Sequence, residues 1–146
     1  MIQVRDVFKT FKLSRQQKRE MGNLFRGETV DAVAGISFEC RPGRVFGLLG
    51  PNGAGKTTTL RMIATTLRPS AGSIAVAGHD VGHEPERVRA ALGFLTGSTQ
   101  LYDRLTATEL VRYYADLHGV SREDFNRRRG EIFAALDMEA YADRRI

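Results

Sequence analysis

Apolar and polar residues alternate along residues 2–7, and residues 29–40 carry a second strand pattern, so the front of the chain is predicted to be β structure. Between them, residues 14–22 start at Ser14, run through helix-forming residues and stop at Gly22. That stretch is polar enough to predict a short exposed helix or an excursion from the sheet. Residues 44–49 and 92–96 are short, nearly continuous apolar runs, the composition of buried parallel strands. Residues 57–67 place Leu60, Ile63, Ala64 and Leu67 at helical spacing. The turn Pro69-Ser70-Ala71-Gly72 leads into a strand over residues 73–77, a loop over 78–85 and a helical stretch over 86–91. Beyond the polar loop 97–100, Thr106-Ala107-Thr108-Glu109 has the form of a capping box opening a helix to about His118, with Gly119 as its stop. Ser121 opens another helix, to about Leu136.

A length of 146 residues predicts roughly one domain with enough apolar residues for a core. Cys40 is the only cysteine, which excludes an internal disulfide framework; it is expected as a small buried hydrophobe in a reducing compartment. No apolar run approaches the roughly twenty residues that cross a bilayer, so a soluble chain is expected. Twenty-two basic residues against 17 acidic ones give a net charge of +5. The basic clusters, at residues 15–19, 127–129 and 144–145, do not interleave with aromatics, so solvated faces are expected and no nucleic acid partner is. His79, His83 and His118 have no cysteine partners and predict no metal site of their own.

Gly50-Pro51-Asn52-Gly53-Ala54-Gly55-Lys56-Thr57-Thr58 changes the picture most, because it fits G-x-x-x-x-G-K-[ST] at every fixed position. Glycines let the backbone turn tightly and approach phosphate oxygens closely. Lys56 offers a point charge for the β- and γ-phosphates, the Thr57 hydroxyl is the expected protein ligand to a bridging Mg²⁺, and Thr58 adds a donor. The apolar run before the loop and the helical pattern after it are the context this motif requires, with a helix N-terminus facing the phosphates.

With these features in hand, residues 30–146 resemble the ATP-binding subunits of ABC transporters. The loop has the form that family favours. Ala71-Gly72-Ser73-Ile74 with Gly78-His79-Asp80-Val81 is similar to its strand and turn, and Leu101-Tyr102-Asp103-Arg104-Leu105-Thr106 with Glu109-Leu110 is similar to the entry into its helical subdomain. Residues 29–35 and 92–106, with the insert near residue 20, look most like the sodium-export (NatA-type) branch. The resemblance implies an α/β fold: a P-loop NTPase core of ABC type with an antiparallel β subdomain and part of the helical subdomain. It divides the chain into a β-rich portion (1–49, insert 14–28), a P-loop core (50–96), and a loop with the start of the helical subdomain (97–146). It further implies Mg-ATP binding that powers transport, with export as the direction, a membrane-spanning permease partner, a second ATP-binding subunit, and a cytoplasmic location on the inner face of the membrane.

Residue by residue, the resemblance puts Phe11 where an aromatic stacks on adenine, although a core phenylalanine is the alternative. Where the family has a glutamine that reaches the Mg²⁺ and attacking water, this chain has Gly97; either Gln100 reaches back or the contact is dispensed with. The family's signature, its acidic strand and its switch histidine are expected beyond residue 146, which makes the chain an amino-terminal portion. Residues 132–137 do not replace the acidic strand, because they continue a helix and lack a second acid. The chain alone is therefore expected to lack significant hydrolysis. A non-hydrolysing nucleotide-binding regulatory module is the competing function. A P-loop kinase or GTPase lacks support, having no base-recognition motif here.

Overall fold

The computed structural model describes residues 1–20, 27–97 and 102–146. The chain forms two compact units, Met1–Phe94 and Leu95–Ile146.

In the first unit, β1 (Ile2–Lys12) forms a long antiparallel hairpin with β2 (Thr29–Cys40), and the short helix α1 (Arg15–Glu20) lies between them. On its other edge β1 pairs antiparallel with β3 (Ala71–Val76), which pairs with the two-residue β4 (His79–Asp80). The four-stranded sheet thus has the order β2-β1-β3-β4. Val4 sits opposite Phe38 on one side and Ile74 on the other. The alternation buries Val4, Val7, Val33, Ile74 and Val76 on one face, where Met62 and Ile63 of α2 (Lys56–Ile63) and Val88 of α3 (Pro85–Ala90) complete the core. The β1–β2 register slips near Asp6, whose φ is 45°. Its amide donates to Ser37 Oγ at 2.8 Å and the Ser37 hydroxyl donates to its carboxylate at 3.0 Å, so the irregular backbone is not left unsatisfied.

Four expectations need correction. Residues 44–49 and 92–96 form no strand ladder: Val45 and Leu49 are 104% and 93% exposed, and Leu95 is exposed as well. A parallel strand is held by a ladder of hydrogen bonds to its neighbours, and no ladder among the described residues includes either run. What anchors the first is side-chain packing, with the Phe46 ring stacked on Phe38 at 5.1 Å. The helix after the loop ends at Ile63, short of residue 67, because Thr65 takes a left-handed φ of 62° while the amides of Thr66 and Leu67 turn back to the Arg61 carbonyl. Leu60, expected on the buried face, is exposed, and Thr59 and Met62 are buried in its place. Cys40 is only half-buried; burial nonetheless pushes its thiol above the ordinary value.

The second unit is a pair of helices, α4 (Ala107–Leu117) and α5 (Arg122–Ala135), followed by a 3₁₀ turn (Glu139–Tyr141). Leu110, Phe125, Phe133 and Ala142 are buried in it. Thr106 accepts from the Glu109 amide at 3.1 Å while the Glu109 carboxylate accepts from the Thr106 amide at 2.8 Å, the reciprocal box predicted. Ser121 caps α5 through the Asp124 amide at 3.1 Å. The chain's end returns to the start of α4, with the Ile146 amide donating to the Leu105 carbonyl at 3.0 Å. Among the described residues no helix is long and apolar enough to cross a membrane.

Candidate functional site

The loop at residues 50–58 leads directly into α2. Gly55 stands at the helix N-cap with φ 83°, and having no side chain it cannot cap the helix. The first bond of the helix runs from the Thr59 amide to the Gly55 carbonyl at 2.8 Å, which leaves the amides of Lys56, Thr57 and Thr58 without an intrahelical acceptor. Those residues, with Asn52, Gly53, Ala54, Gly55 and Ala32, line a cavity of about 220 Å³. Free amides at the positive end of a helix, no carboxylate in the lining and an adjacent lysine are the chemistry that holds an anion.

Gly55 also fixes the loop against the sheet. A Cβ built there would lie 2.2 Å from the Ala32 carbonyl oxygen and 3.0 Å from Val33 Cγ2, so the loop backbone approaches β2 as closely as a glycine allows. Thr59, the third threonine after Lys56, is 2% exposed, and its hydroxyl donates to the Gly55 carbonyl at 2.9 Å. It pins the junction of loop and helix. Neither Ala32 nor Thr59 stood out in the sequence: the first depends on sheet register, and the second had only the run of threonines as a signal.

Lys56 Nζ donates to the carbonyls of Gly50 and Pro51, both at 2.7 Å. The ammonium is thereby held over the loop by exchangeable partners. The hydroxyls of Thr57 and Thr58 make no hydrogen bond among the described residues, so Thr57 is free to serve a cation beside a bound phosphate. A second cavity of about 390 Å³ adjoins the loop, lined by residues of β2 together with Leu48, Leu49 and Gly53. Asp31 is the only carboxylate among the described residues lining either cavity, and its Oδ1 accepts from the Thr10 hydroxyl at 2.7 Å.

Phe11 is not brought into this cluster. It faces Val30 in the ladder, lines neither cavity and lies beneath the Lys9 ammonium at 5.1 Å. At 38% exposure it is not a core residue either. Gly97 lies in a turn of the second unit, where a Cβ would meet no atom of the described residues within 4 Å, and Gln100 falls outside the described residues. His79 and His83 pair with carboxylates, His79 Nδ1 at 3.3 Å from Glu84 and His83 Nδ1 at 2.8 Å from Asp80.

A family model described as ABC transporter matches residues 33–146. The chain belongs to the ABC transporter family. Among proteins similar to this ABC chain, the ABC transporter ATP-binding protein NatA of Bacillus subtilis is 42% identical over 120 residues, covering 82% of this chain and 49% of that protein. The daunorubicin/doxorubicin resistance ATP-binding protein DrrA of Streptomyces peucetius is 39% identical over 113 residues, 77% of this chain and 34% of DrrA. In fold, the chain is similar to the dimeric ATP-binding cassette MJ0796 in a post-hydrolysis state bound to ADP and Pi: TM-score 0.76 at 22% identity, over 99% of this chain and 61% of that one. The chain thus spans about half the length of NatA.

Proposed function

We propose that this chain is the nucleotide-binding part of an ABC transporter ATP-binding subunit, which binds Mg-ATP at residues 50–58 to power transport, with export as the direction. The supporting observation is the cavity at the head of α2, where three amides lack intrahelical acceptors and Gly55 is packed on Ala32. In this reading the backbone of Gly50, Pro51, Asn52, Gly53, Ala54 and Gly55 cradles the phosphates. Lys56 leaves the Gly50 and Pro51 carbonyls for the β- and γ-phosphates. Thr57 and Thr58 supply hydroxyls, Thr57 as ligand to the Mg²⁺, which when bound neutralises phosphate charge. Phe11 stacks on the base. A membrane-spanning permease and a second ATP-binding subunit are the partners, and the location is the inner face of the membrane. The names of NatA and DrrA as ATP-binding proteins support this reading.

Titration of the purified chain with Mg-ATP tests it. Saturable binding that is displaced by ADP and weakened when the metal is chelated is expected. Absence of any nucleotide binding by a folded chain contradicts the proposal.

A further inference from the structure

The chain's charge is unevenly placed. Residues 9–19 contain Lys9, Lys12, Arg15, Lys18 and Arg19 and no acidic residue, so this stretch alone equals the net charge of +5 and the remainder is neutral. The fold presents it as one feature. Lys12 pairs with Thr29 at the end of the β1–β2 ladder, and the Leu13 amide donates to the Glu28 carbonyl at 2.9 Å. These bonds close the neck of an excursion that opens with α1.

Some basic side chains elsewhere have acidic partners, while others, such as Arg44, Arg61, Arg104 and Arg122, make no ion pair among the described residues; what sets the excursion apart is that its basic residues lie close together in sequence. Arg127 bonds Asp124 at 2.8 Å, and Arg87 bonds Glu84 at the same distance. In the excursion, Lys12, Arg15 and Arg19 make no ion pair among the described residues, and Lys18 reaches only the exposed Glu28 carboxylate at 3.9 Å. Lys9 is committed to the Arg68 carbonyl at 2.7 Å. Arg15, Lys18 and Arg19 stand at positions i, i+3 and i+4 of a six-residue helix, so like charges share one face of an element too short to be stable by itself. Covering that face with negative charge turns this cost into attraction. Residues 12–20 include no aromatic side chain on which a base could stack, which favours a surface recognised by charge alone.

We infer that Lys12, Arg15, Lys18 and Arg19 dock this excursion onto the anionic headgroups of a membrane surface. Juxtaposed basic residues are drawn to such a surface over about one Debye length. The inference rests on charge placement and is independent of the nucleotide reading.

The test uses the 146-residue chain and vesicles of phosphatidylcholine with or without phosphatidylserine, the bound fraction being read by sedimentation. Wild type binds the phosphatidylserine vesicles only, and added salt releases it. Each basic side chain contributes about fivefold, the equivalent of about 1 kcal/mol. Arg15→Gln with Arg19→Gln therefore lowers binding about 25-fold on that scale, whereas Arg15→Lys with Arg19→Lys retains it. Mg-ATP affinity is read on the same samples and stays that of wild type. Should the glutamine variant fail to fold, wild type decides alone through its dependence on phosphatidylserine and salt. Binding that ignores phosphatidylserine, a glutamine variant that binds as wild type does, or tighter binding to a duplex oligonucleotide than to the vesicles overturns the inference.

Discussion

At the scale of single residues, Gly55 and Gly53 separate two reasons for a glycine in the loop. Both have left-handed φ, 83° and 84°, but a Cβ at Gly55 would meet the Ala32 carbonyl oxygen at 2.2 Å whereas one at Gly53 meets nothing within 4 Å. Gly53→Ala should cost only the backbone strain, about 1 kcal/mol. Gly55→Ala adds displacement of the loop from β2 and should cost about 3 kcal/mol or more, within the range for strained, overpacked sites. Urea unfolding of the two variants measures the difference, and equal losses would contradict the packing of the loop on β2. Phe11 poses a different question. If its exposed ring stacks on adenine, Phe11→Ala weakens ATP by about 1–3 kcal/mol and leaves inorganic triphosphate unchanged. Equal losses for the two ligands in competition titrations would remove Phe11 from the site.

At the scale of elements, what could be read in the sequence was what is local. The capping box at Thr106 and Glu109 and the serine cap at Ser121 are interactions within one helical turn, and both form as their spacing predicts. Thr106→Ala should destabilise the second unit by about 1 kcal/mol, visible as a lower thermal midpoint; an unchanged midpoint would mean that this cap carries no weight. Pairing is not local. Residues 44–49 and 92–96 have strand composition, but a ladder needs neighbours at the right register, which composition does not supply. The early end of α2 was equally hidden, since Thr65 at φ 62° is a residue that sequence rules do not place in the left-handed region. The β4–α3 turn yields a pH prediction. Burial pushes the Asp80 carboxyl up, but bonds from the His83 ring and from the Gly82 and His83 amides outweigh it and hold the group below its ordinary value. A depressed carboxyl stabilises the fold above its unfolded value, about 3.9, and that contribution is lost as pH falls through the lower folded value. The thermal midpoint should therefore drop on acidification from about pH 5 to pH 2, less steeply in Asp80→Asn; identical slopes would deny the turn this role.

At the scale of the molecule, the loop at residues 50–58 was legible because its chemistry is written in consecutive residues, and so was the β character of residues 2–7 and 29–40, though not their pairing with each other. The wall against which the loop packs was not, because Ala32 reaches Gly55 only through the fold. Catalysis also belongs to this scale. Asp31, tied to Thr10, is the only carboxylate among the described residues lining the loop cavities, so nothing there is placed to orient water. Phosphate release by this chain should stay below roughly 0.1 s⁻¹, a tenth of the low end of typical enzyme rates. Faster turnover that depends on Lys56 would show that the site holds more of the machinery than its lining suggests. The claim on which the proposed function rests is that Lys56 and the amides at the head of α2 hold nucleotide phosphates. Calorimetric titration of wild type and Lys56→Ala with Mg-ATP tests it most directly. Loss of one charge-assisted contact, about 1.5–3 kcal/mol, predicts a roughly ten- to hundredfold weaker variant; equal affinity in two folded proteins would contradict it.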